Sequence, residues 1–370
     1  MDFSLNDEHI ALQDAVRRFC DGEYPAHQRG DDEPAALAAR RWQGMAELGL
    51  LGLPLGTDVG GSGLGAVESM LVAQELGRAL GGIGWLSSVV ATGQLLDQLG
   101  SAAQRERWLP ALASGGARAA LALHEAGARY DYRRPATQAR RQGSGWVLEG
   151  GKTLVLDGAA AQLLIVSAQV EGGGPTLFVV EAGAPGVEVQ DFATLDGRRA
   201  ASVTLRGVAL TAGDVLGEVG GALPGIEATA DRVNAALCAE AAGALQALID
   251  LSAEQLRTRK QFGALLARFQ VLQHRVADML IALEQCKSMA CAAAMAVDAG
   301  EPALRRRLVS AAKVVAGQAG RQVGEWAIQM HGAMGMTDEC RVGHYAKRLL
   351  VIGQLFGDAS YHLDRFAAAS

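Results

Sequence analysis

One segment without proline constrains the fold of this chain more than any other feature. Residues 226–258 contain no proline and a single glycine, Gly243, so nothing in them is expected to break a helix. Three more stretches with helical character follow: a segment in which Val276, Met279, Leu280 and Leu283 share one helical face, then 302–330 and 344–368. Four long helices in sequence predict an antiparallel bundle.

The middle of the chain has a different pattern. From about residue 117, short apolar runs alternate with Gly- and Pro-rich turns, which is typical of strands in a sandwich or barrel. The strand candidates are 163–170, 176–180, 201–205 and, as two short strands around a Gly150-Gly151 turn, 146–157. The expected domains are therefore an N-terminal helical domain (1–116), a middle β domain (117–222) and a C-terminal helical bundle (223–370).

Composition excludes several classes of protein. A chain that is 49% hydrophobic can bury a core, so it is not disordered. The net charge of −6 argues against a general nucleic-acid binder. No apolar run approaches the length that spans a bilayer, and the N-terminus has no signal-peptide pattern. The five scattered cysteines lack zinc spacing, so no metal site is predicted and a cytoplasmic location is expected.

Two segments have residues that suit a phosphate-bearing ligand. Residues 257–263 combine several cations with Phe262 and Gly263, and a guanidinium fork can bind a pyrophosphate. Cations at the end of a helix are also favoured by the helix dipole, so this pattern alone leaves both interpretations open. In residues 329–335, the glycines are either a helix cap or a point where a ligand approaches the backbone. The glycine loop at 60–65 does not match a dinucleotide fingerprint and is interpreted as a plain loop.

These segments, in this order, resemble the acyl-CoA dehydrogenase family, and the resemblance covers nearly the whole chain. The stretches that carry it are 46–54, 60–63, 75–78, 146–152, 259–263, 269–270, 277–279 and 329–335. Within the family, the chain is most like the short, pimeloyl-CoA dehydrogenase small-subunit type. The resemblance implies a mainly α fold with a small middle β-barrel between an N-terminal helical domain and a C-terminal four-helix bundle.

The resemblance also implies a cofactor, a reaction and partners. Family members use FAD to oxidise an acyl-CoA thioester between its α and β carbons, form tetramers and pass electrons to an electron-transfer flavoprotein. A carboxylate removes the α proton. By motif position, the FAD of a neighbouring subunit is expected to meet five residues: Arg259, Phe262, Gln270, Gln329 and Gly332.

The sequence departs from the family where the catalytic base is expected. The two usual positions of the basic Glu are occupied by Phe356 and Val233, and neither side chain can accept a proton. Asp231 is a candidate replacement, but it lies about 200° round the helix from Val233 and would need a local irregularity. Glu240 and Asp358 are also nearby. For all three acids, capping or ion pairing is the favoured interpretation.

The β domain departs as well. Arg129 and Tyr130 replace small residues of the family's flavin and substrate loop, which follows His124 here. Leu154 and Leu156 occupy positions from which other members contact the flavin. These losses predict a base-lacking partner subunit in a heteromeric enzyme. The alternatives are a self-sufficient homotetramer with a displaced base, such as Asp231, and a non-redox acyl-CoA-binding or scaffold protein.

Overall fold

The computed structural model describes residues 4–24 and 34–369. The chain divides into two compact units, one of residues 1–34, 65–82 and 234–370, and the other of residues 35–64 and 83–233. The first is called the helical unit here, and the second the sheet unit. The mainly α fold with a middle sheet confirms the predicted fold class.

The helices and strands follow the order that the sequence predicts. The helices are α1 (Asp7–Glu23), α2 (Ala35–Glu47), α3 (Ala66–Ala79), α4 (Gln94–Leu99), α5 (Ala102–Ala113), α6 (Leu223–Thr258), α7 (Gln270–Asp298), α8 (Pro302–His331), α9 (Arg341–Ile352) and α10 (Ala359–Ala367). The strands are β1 (Ala119–Ala122), β2 (Gln138–Gln142), β3 (Gly145–Leu156), β4 (Leu163–Val170), β5 (Pro175–Glu181), β6 (Val187–Ala193), β7 (Arg199–Leu210), β8 (Val215–Leu216), β9 (Lys260–Gln261) and β10 (Ala264–Leu265).

The sheet unit contains one eight-stranded sheet. Its hydrogen-bonded path runs β6-β7-β3-β2-β4-β5-β8, and β1 pairs with β4 in parallel. Alternate side chains of these strands form a buried core, in which the rings of Trp146 and Phe178 meet edge to face at 5.8 Å. The three predicted strands at 163–170, 176–180 and 201–205 are confirmed, although the last is part of the longer β7.

The prediction of two strands around Gly150-Gly151 was wrong, because β3 is a single strand of 12 residues. The turn lies earlier, where Gln142 pairs with Gly145 across a two-residue loop. Gly150 adopts a φ of +151°, and a Cβ on it would stand 2.7 Å from Cα of Thr137. Gly150 is therefore needed for a bulge and for the close approach to the backbone of Thr137. In the sequence, such a glycine cannot be distinguished from one that marks a turn.

The helical unit contains α1, α3, most of α6, and α7 to α10. The long helices predicted at 226–258 and 302–330 are confirmed by α6 and α8. The single helix predicted at 344–368 is two helices, because Phe356 and Gly357 have positive φ and Asp358 caps a new helix. On α7, Met279 and Leu283 are buried, whereas Leu280 is 43% exposed, so the predicted apolar face is only partly covered within this chain.

Helices α3 and α6 cross at two glycines. A Cβ on Gly77 would lie 2.1 Å from the carbonyl oxygen of Glu240, and one on Gly243 would lie 1.8 Å from that of Gln74. Neither distance is compatible with a carbon atom, so the two backbones are in direct contact. Gly243, the one glycine of the long proline-free segment, is therefore a packing residue.

Two helices, α6 and α7, are long and apolar enough to cross a membrane by length and composition. Both reach a mean hydropathy of 1.3, so the expectation that no segment of this chain has this character was too strict. The apolar window of α6 is 78% buried within the protein, which accounts for its composition. That of α7 is 39% buried, and the exposed part includes Leu280 and Ile281.

Candidate functional site

The five residues predicted to meet a neighbour's FAD lie at one end of the α7–α8 helical hairpin. Gln270 begins α7, and Gln329 and Gly332 lie where α8 ends. The guanidinium of Arg275 stacks over the ring of Trp326 at 5.4 Å, which places these two helix ends side by side. Arg259 and Phe262 belong to the short link that leads into α7.

The local structure of that link explains why the sequence has Phe262 followed by Gly263. Strands β9 and β10 pair around these two residues, which have φ values of 55° and 77°. Positive φ at both central positions defines a type I′ hairpin turn. The turn places the ring of Phe262 at its tip, where 89% of the residue is exposed. An apolar ring held outward in a strained conformation is a feature of sites that bind something else.

The other members of this surface are equally accessible. Arg259, Gln270, Gln329 and Gly332 are all exposed, and an added Cβ at Gly332 would meet nothing within 4 Å. In the part of the chain that the structure describes, no carboxylate holds the guanidinium of Arg259. A free guanidinium, two carboxamides, an open backbone and an exposed ring suit the phosphates and planar rings of FAD.

The region of the expected base is organised in the opposite way. Phe356 is 5% exposed and adopts a φ of 53°. Its carbonyl oxygen accepts a hydrogen bond of 3.2 Å from Nδ2 of Asn234 and lies 3.3 Å from Nε2 of His362. Nζ of Lys313 donates to the carbonyl oxygens of Ile352 and Leu355, at 2.6 and 2.9 Å. The loop is therefore fixed from several sides around a buried phenyl ring.

Burial changes the acid–base properties of the groups that hold this loop. Desolvation lowers the pKa of Lys313 to about 8. Desolvation, together with the nearby cations Lys313 and Arg365, lowers the pKa of His362 to about 3. His362 is therefore neutral at neutral pH and Lys313 is cationic. Neither group is a carboxylate, which is the type of base that the family reaction uses.

The acidic candidates are committed to structural contacts. Glu240 forms two hydrogen bonds of 2.7 Å with the guanidinium of Arg348, and both residues are buried. Asp358 caps α10 by accepting from the backbone N–H of Tyr361 at 2.9 Å. The interpretation of Glu240 and Asp358 as ion-pairing and capping residues is confirmed.

Asp231 does not take the place of Val233. Both residues are buried, at 1% and 0% exposure, and α6 runs as regular α-helix through them. The irregularity that would turn Asp231 towards the direction of Val233 is therefore not observed. In a regular helix, Asp231 lies about 200° round from Val233, so its carboxylate points away from the side chain of Val233.

In the sheet unit, a buried ion pair fixes the loop that follows His124. Nζ of Lys152 lies 2.6 Å from the carboxylate of Glu125, which also accepts from the backbone N–H groups of Ala136 and Thr137. Both ends of the loop are thus joined, and desolvation lowers the pKa of Lys152 to about 8. The pairing of Lys152 with Glu125 was not predicted from the sequence, because the two residues are 27 positions apart.

The predicted flavin-contacting positions of the sheet unit have apolar side chains. Leu154 adopts a φ of 51° next to a bulge between Lys152 and Val155, and Val155 is fully buried. Leu154 and Leu156 are half-buried. Aliphatic side chains cannot donate or accept hydrogen bonds, so these side chains offer the flavin no polar contact. Arg129, with a φ of 48°, is exposed in the loop after His124.

Comparison with known proteins decides the family. Family models for the N-terminal, middle and C-terminal domains of acyl-CoA dehydrogenase match residues 6–116, 120–207 and 226–370. The chain belongs to the acyl-CoA dehydrogenase family. The relatives of this family are oxidoreductases that act on CH–CH bonds, and FAD is its cofactor.

Named relatives span the same length. The probable acyl-CoA dehydrogenase YngJ of Bacillus subtilis is 28% identical over 367 residues, which is 96% of each chain. Among solved structures, the ChsE4–ChsE5 complex from Mycobacterium tuberculosis is 27% identical with a TM-score of 0.90, covering 100% of this chain and 98% of that one. A variant of the Tcur3481–Tcur3483 steroid ACAD is 29% identical with a TM-score of 0.89, covering 99% and 98%.

Proposed function

We propose that this acyl-CoA dehydrogenase chain is the base-lacking partner subunit of a heteromeric enzyme, in which it completes the FAD site of a base-bearing subunit. The observation that carries the proposal is the buried phenyl ring of Phe356 in the place of the catalytic Glu. Val233 leaves the second usual position without a carboxylate as well. FAD, when bound, would accept a hydride from the β carbon of an acyl-CoA thioester.

The surface at the end of the α7–α8 hairpin supports this role. Its five residues are exposed, as a surface that serves a group held by another subunit must be. Arg259 would hold a phosphate through charge-assisted hydrogen bonds, and Phe262 would cover a ring. All five residues of this surface match the family's motifs. The positions expected to hold the chain's own base and to contact its own flavin have apolar side chains instead.

The partners follow from the same proposal. The second subunit is an acyl-CoA dehydrogenase that carries its own base, and the assembly is a tetramer in which the exposed apolar residues of α7 contact other subunits. An electron-transfer flavoprotein would accept the electrons. We also retain a cytoplasmic location, domain boundaries at 1–116, 117–222 and 223–370, and a likeness to pimeloyl-CoA dehydrogenase small subunits as parts of this proposal.

Purification of the chain alone and with its partner tests the proposal. The partner to express is the product of a neighbouring gene for a longer acyl-CoA dehydrogenase with a Glu at either base position. The isolated chain should hold little FAD and show little turnover, whereas the co-purified complex should hold about one FAD per pair of chains and be active. FAD is read from its absorbance, and turnover from reduction of an artificial acceptor.

Two other outcomes would replace the proposal. Stoichiometric FAD and robust turnover in the isolated chain would establish a self-sufficient homotetramer, and loss of that activity in Asp231→Asn would identify the displaced base. Binding of acyl-CoA without flavin reduction, alone and in every complex, would establish a non-redox binding or scaffold protein.

A further inference from the structure

Two methionines beside the end of the α7–α8 hairpin are exposed, unlike the other methionines that the structure describes. Met334 is 61% exposed and Met336 is 72% exposed. The remaining described methionines are buried or half-buried: Met45, Met70, Met279, Met289, Met295 and Met330. A thioether is apolar and is usually covered, so two of them in water, two residues apart, form an unusual surface.

The backbone between the two methionines explains why both side chains are exposed. Residues Gly332–Met336 form a short 3₁₀ helix directly after α8. Gly335 is buried, and a Cβ on it would stand 3.1 Å from the carbonyl oxygen of Ile328 in α8. Successive residues of a 3₁₀ helix are about 120° apart, so when residue 335 faces α8 the residues on both sides of it turn away.

This segment is also fixed at its other contacts. The carbonyl oxygen of Met334 accepts hydrogen bonds from the backbone N–H and from the hydroxyl of Thr337, each at 3.1 Å. A Cβ on Gly343 of α9 would stand 3.1 Å from the carbonyl oxygen of Gly335. The two thioethers are therefore presented on a backbone packed against α8 and α9, and they follow Gly332 of the expected FAD surface within four residues.

An exposed thioether reacts with peroxides. Its sulfur attacks one oxygen of hydrogen peroxide, the O–O bond breaks, an S–O bond forms, and water leaves, so the sulfur loses two electrons and the peroxide gains them. We propose that Met334 and Met336 are a sulfoxidation site, at which a peroxide oxidises the free chain and thereby weakens its hold on the FAD of a partner subunit. The consequence for FAD rests on the proposed function, whereas the oxidation requires only the exposed thioethers.

The sulfoxide changes what this surface offers to a partner. A thioether is apolar and polarizable and packs against rings and aliphatic side chains, whereas the oxygen of a sulfoxide is a polar acceptor. The phosphate oxygens of FAD are acceptors too, so they cannot satisfy it, and covering an unpaired polar group costs free energy. Assembly in turn covers the thioethers. Oxidation therefore acts on the chain before it assembles, and methionine sulfoxide reductases reverse it.

Peroxide treatment of the isolated chain and of its complex measures the reactivity. Mass spectrometry of peptides reads the gain of one oxygen at each methionine. In the isolated chain, Met334 and Met336 should be oxidised at least about tenfold faster than Met279 and Met330, and in the complex they should be protected. Equal rates at all four methionines of the isolated chain would overturn the proposal, and so would equal rates at Met334 and Met336 in the chain and in the complex.

The affinity for FAD measures the consequence. The treated chain is reduced with dithiothreitol to restore its thiols and is then combined with the partner subunit. We expect it to retain FAD about tenfold more weakly than the untreated chain, and methionine sulfoxide reductases should restore the affinity. In the double variant Met334→Leu/Met336→Leu, treated and untreated protein should not differ, whatever the starting affinity, because leucine forms no sulfoxide.

Met295→Leu is the matched control, since Met295 is half-buried near the opposite end of α7. It should keep the full response to peroxide. Equal FAD affinity of the treated and untreated wild type would reject the proposal, as would a response that persists in the double variant. Absence of FAD from the untreated complex would instead contradict the proposed function, and the oxidation rates of the isolated chain would still decide whether the modification site exists.

Discussion

The end of the α7–α8 hairpin and the loop around Phe356 belong to the same helical unit and are built in opposite ways. At the hairpin end, Arg259 and Phe262 are exposed, and no carboxylate among the described residues holds the guanidinium of Arg259. The ring of Phe262 meets only the edge of Phe269, at 6.1 Å between centroids. Around Phe356, Asn234 and Lys313 donate to backbone carbonyls of the loop, and Asp358 caps α10. The first region is arranged for an external ligand and the second for internal stability. This difference is the basis of the proposal that the hairpin end serves the FAD of another subunit.

The largest effect is expected from Phe356→Ala. Removing a phenyl ring that is 5% exposed should lower the free energy of unfolding by about 3–5 kcal/mol. Turnover per bound FAD in the complex should change by less than about twofold, because the proposed chemistry uses the base of the partner subunit and not this ring. Urea unfolding and steady-state turnover measure the two quantities. A large loss of turnover at full FAD occupancy would show that this loop is part of the active site.

Arg259→Gln tests the other region, the end of the α7–α8 hairpin. It removes a charge-assisted hydrogen bond to a phosphate, worth about 1.5–3 kcal/mol, so the complex should retain FAD about 10- to 100-fold more weakly. The melting temperature of the isolated chain should not change, because Arg259 is exposed. FAD release is followed by flavin fluorescence, with Arg321→Gln as the control, because Arg321 is exposed on α8 and pairs with Glu325. Equal FAD affinity in Arg259→Gln and Arg321→Gln would show that Arg259 does not contribute to FAD binding.

A pH dependence of stability is expected at His362. An unfolded histidine has a pKa near 6.5, whereas burial and the neighbouring cations lower that of folded His362 to about 3. Between these values the unfolded chain binds a proton that the folded chain does not, so stability falls as pH falls, by up to about 1.4 kcal/mol per pH unit. His124, with a pKa lowered to about 4 by burial, acts in the same direction.

His362→Gln should therefore flatten this dependence without abolishing it. The measurement is urea unfolding at several pH values between 6.5 and 4, for the wild type and the variant. Parallel curves for the two proteins would show that His362 titrates normally and that the Phe356 loop does not exclude water.

The sequence predicted the long helices well, because the absence of proline over 226–258 is a local property. It also predicted that Glu240 would be ion-paired, but not with which residue, since Arg348 is 108 positions away. Lys313 could not be identified at all, because a lysine that caps two carbonyls of a distant loop has no sequence signature. The prediction of a turn at Gly150 was wrong, because the sequence does not distinguish a glycine needed for close packing from one needed for a hairpin turn.

The crossing of α3 and α6 has a consequence for how this chain can vary. Helices usually pack with side chains between them, at 8–10 Å between axes, and can adjust when those side chains change size. At Gly77 and Gly243 no side chain lies between the helices that could change its conformation, because each glycine lies against a carbonyl of the other helix. The separation of the two helices is thus set by backbone atoms alone, and a single added methyl group at either position would push them apart.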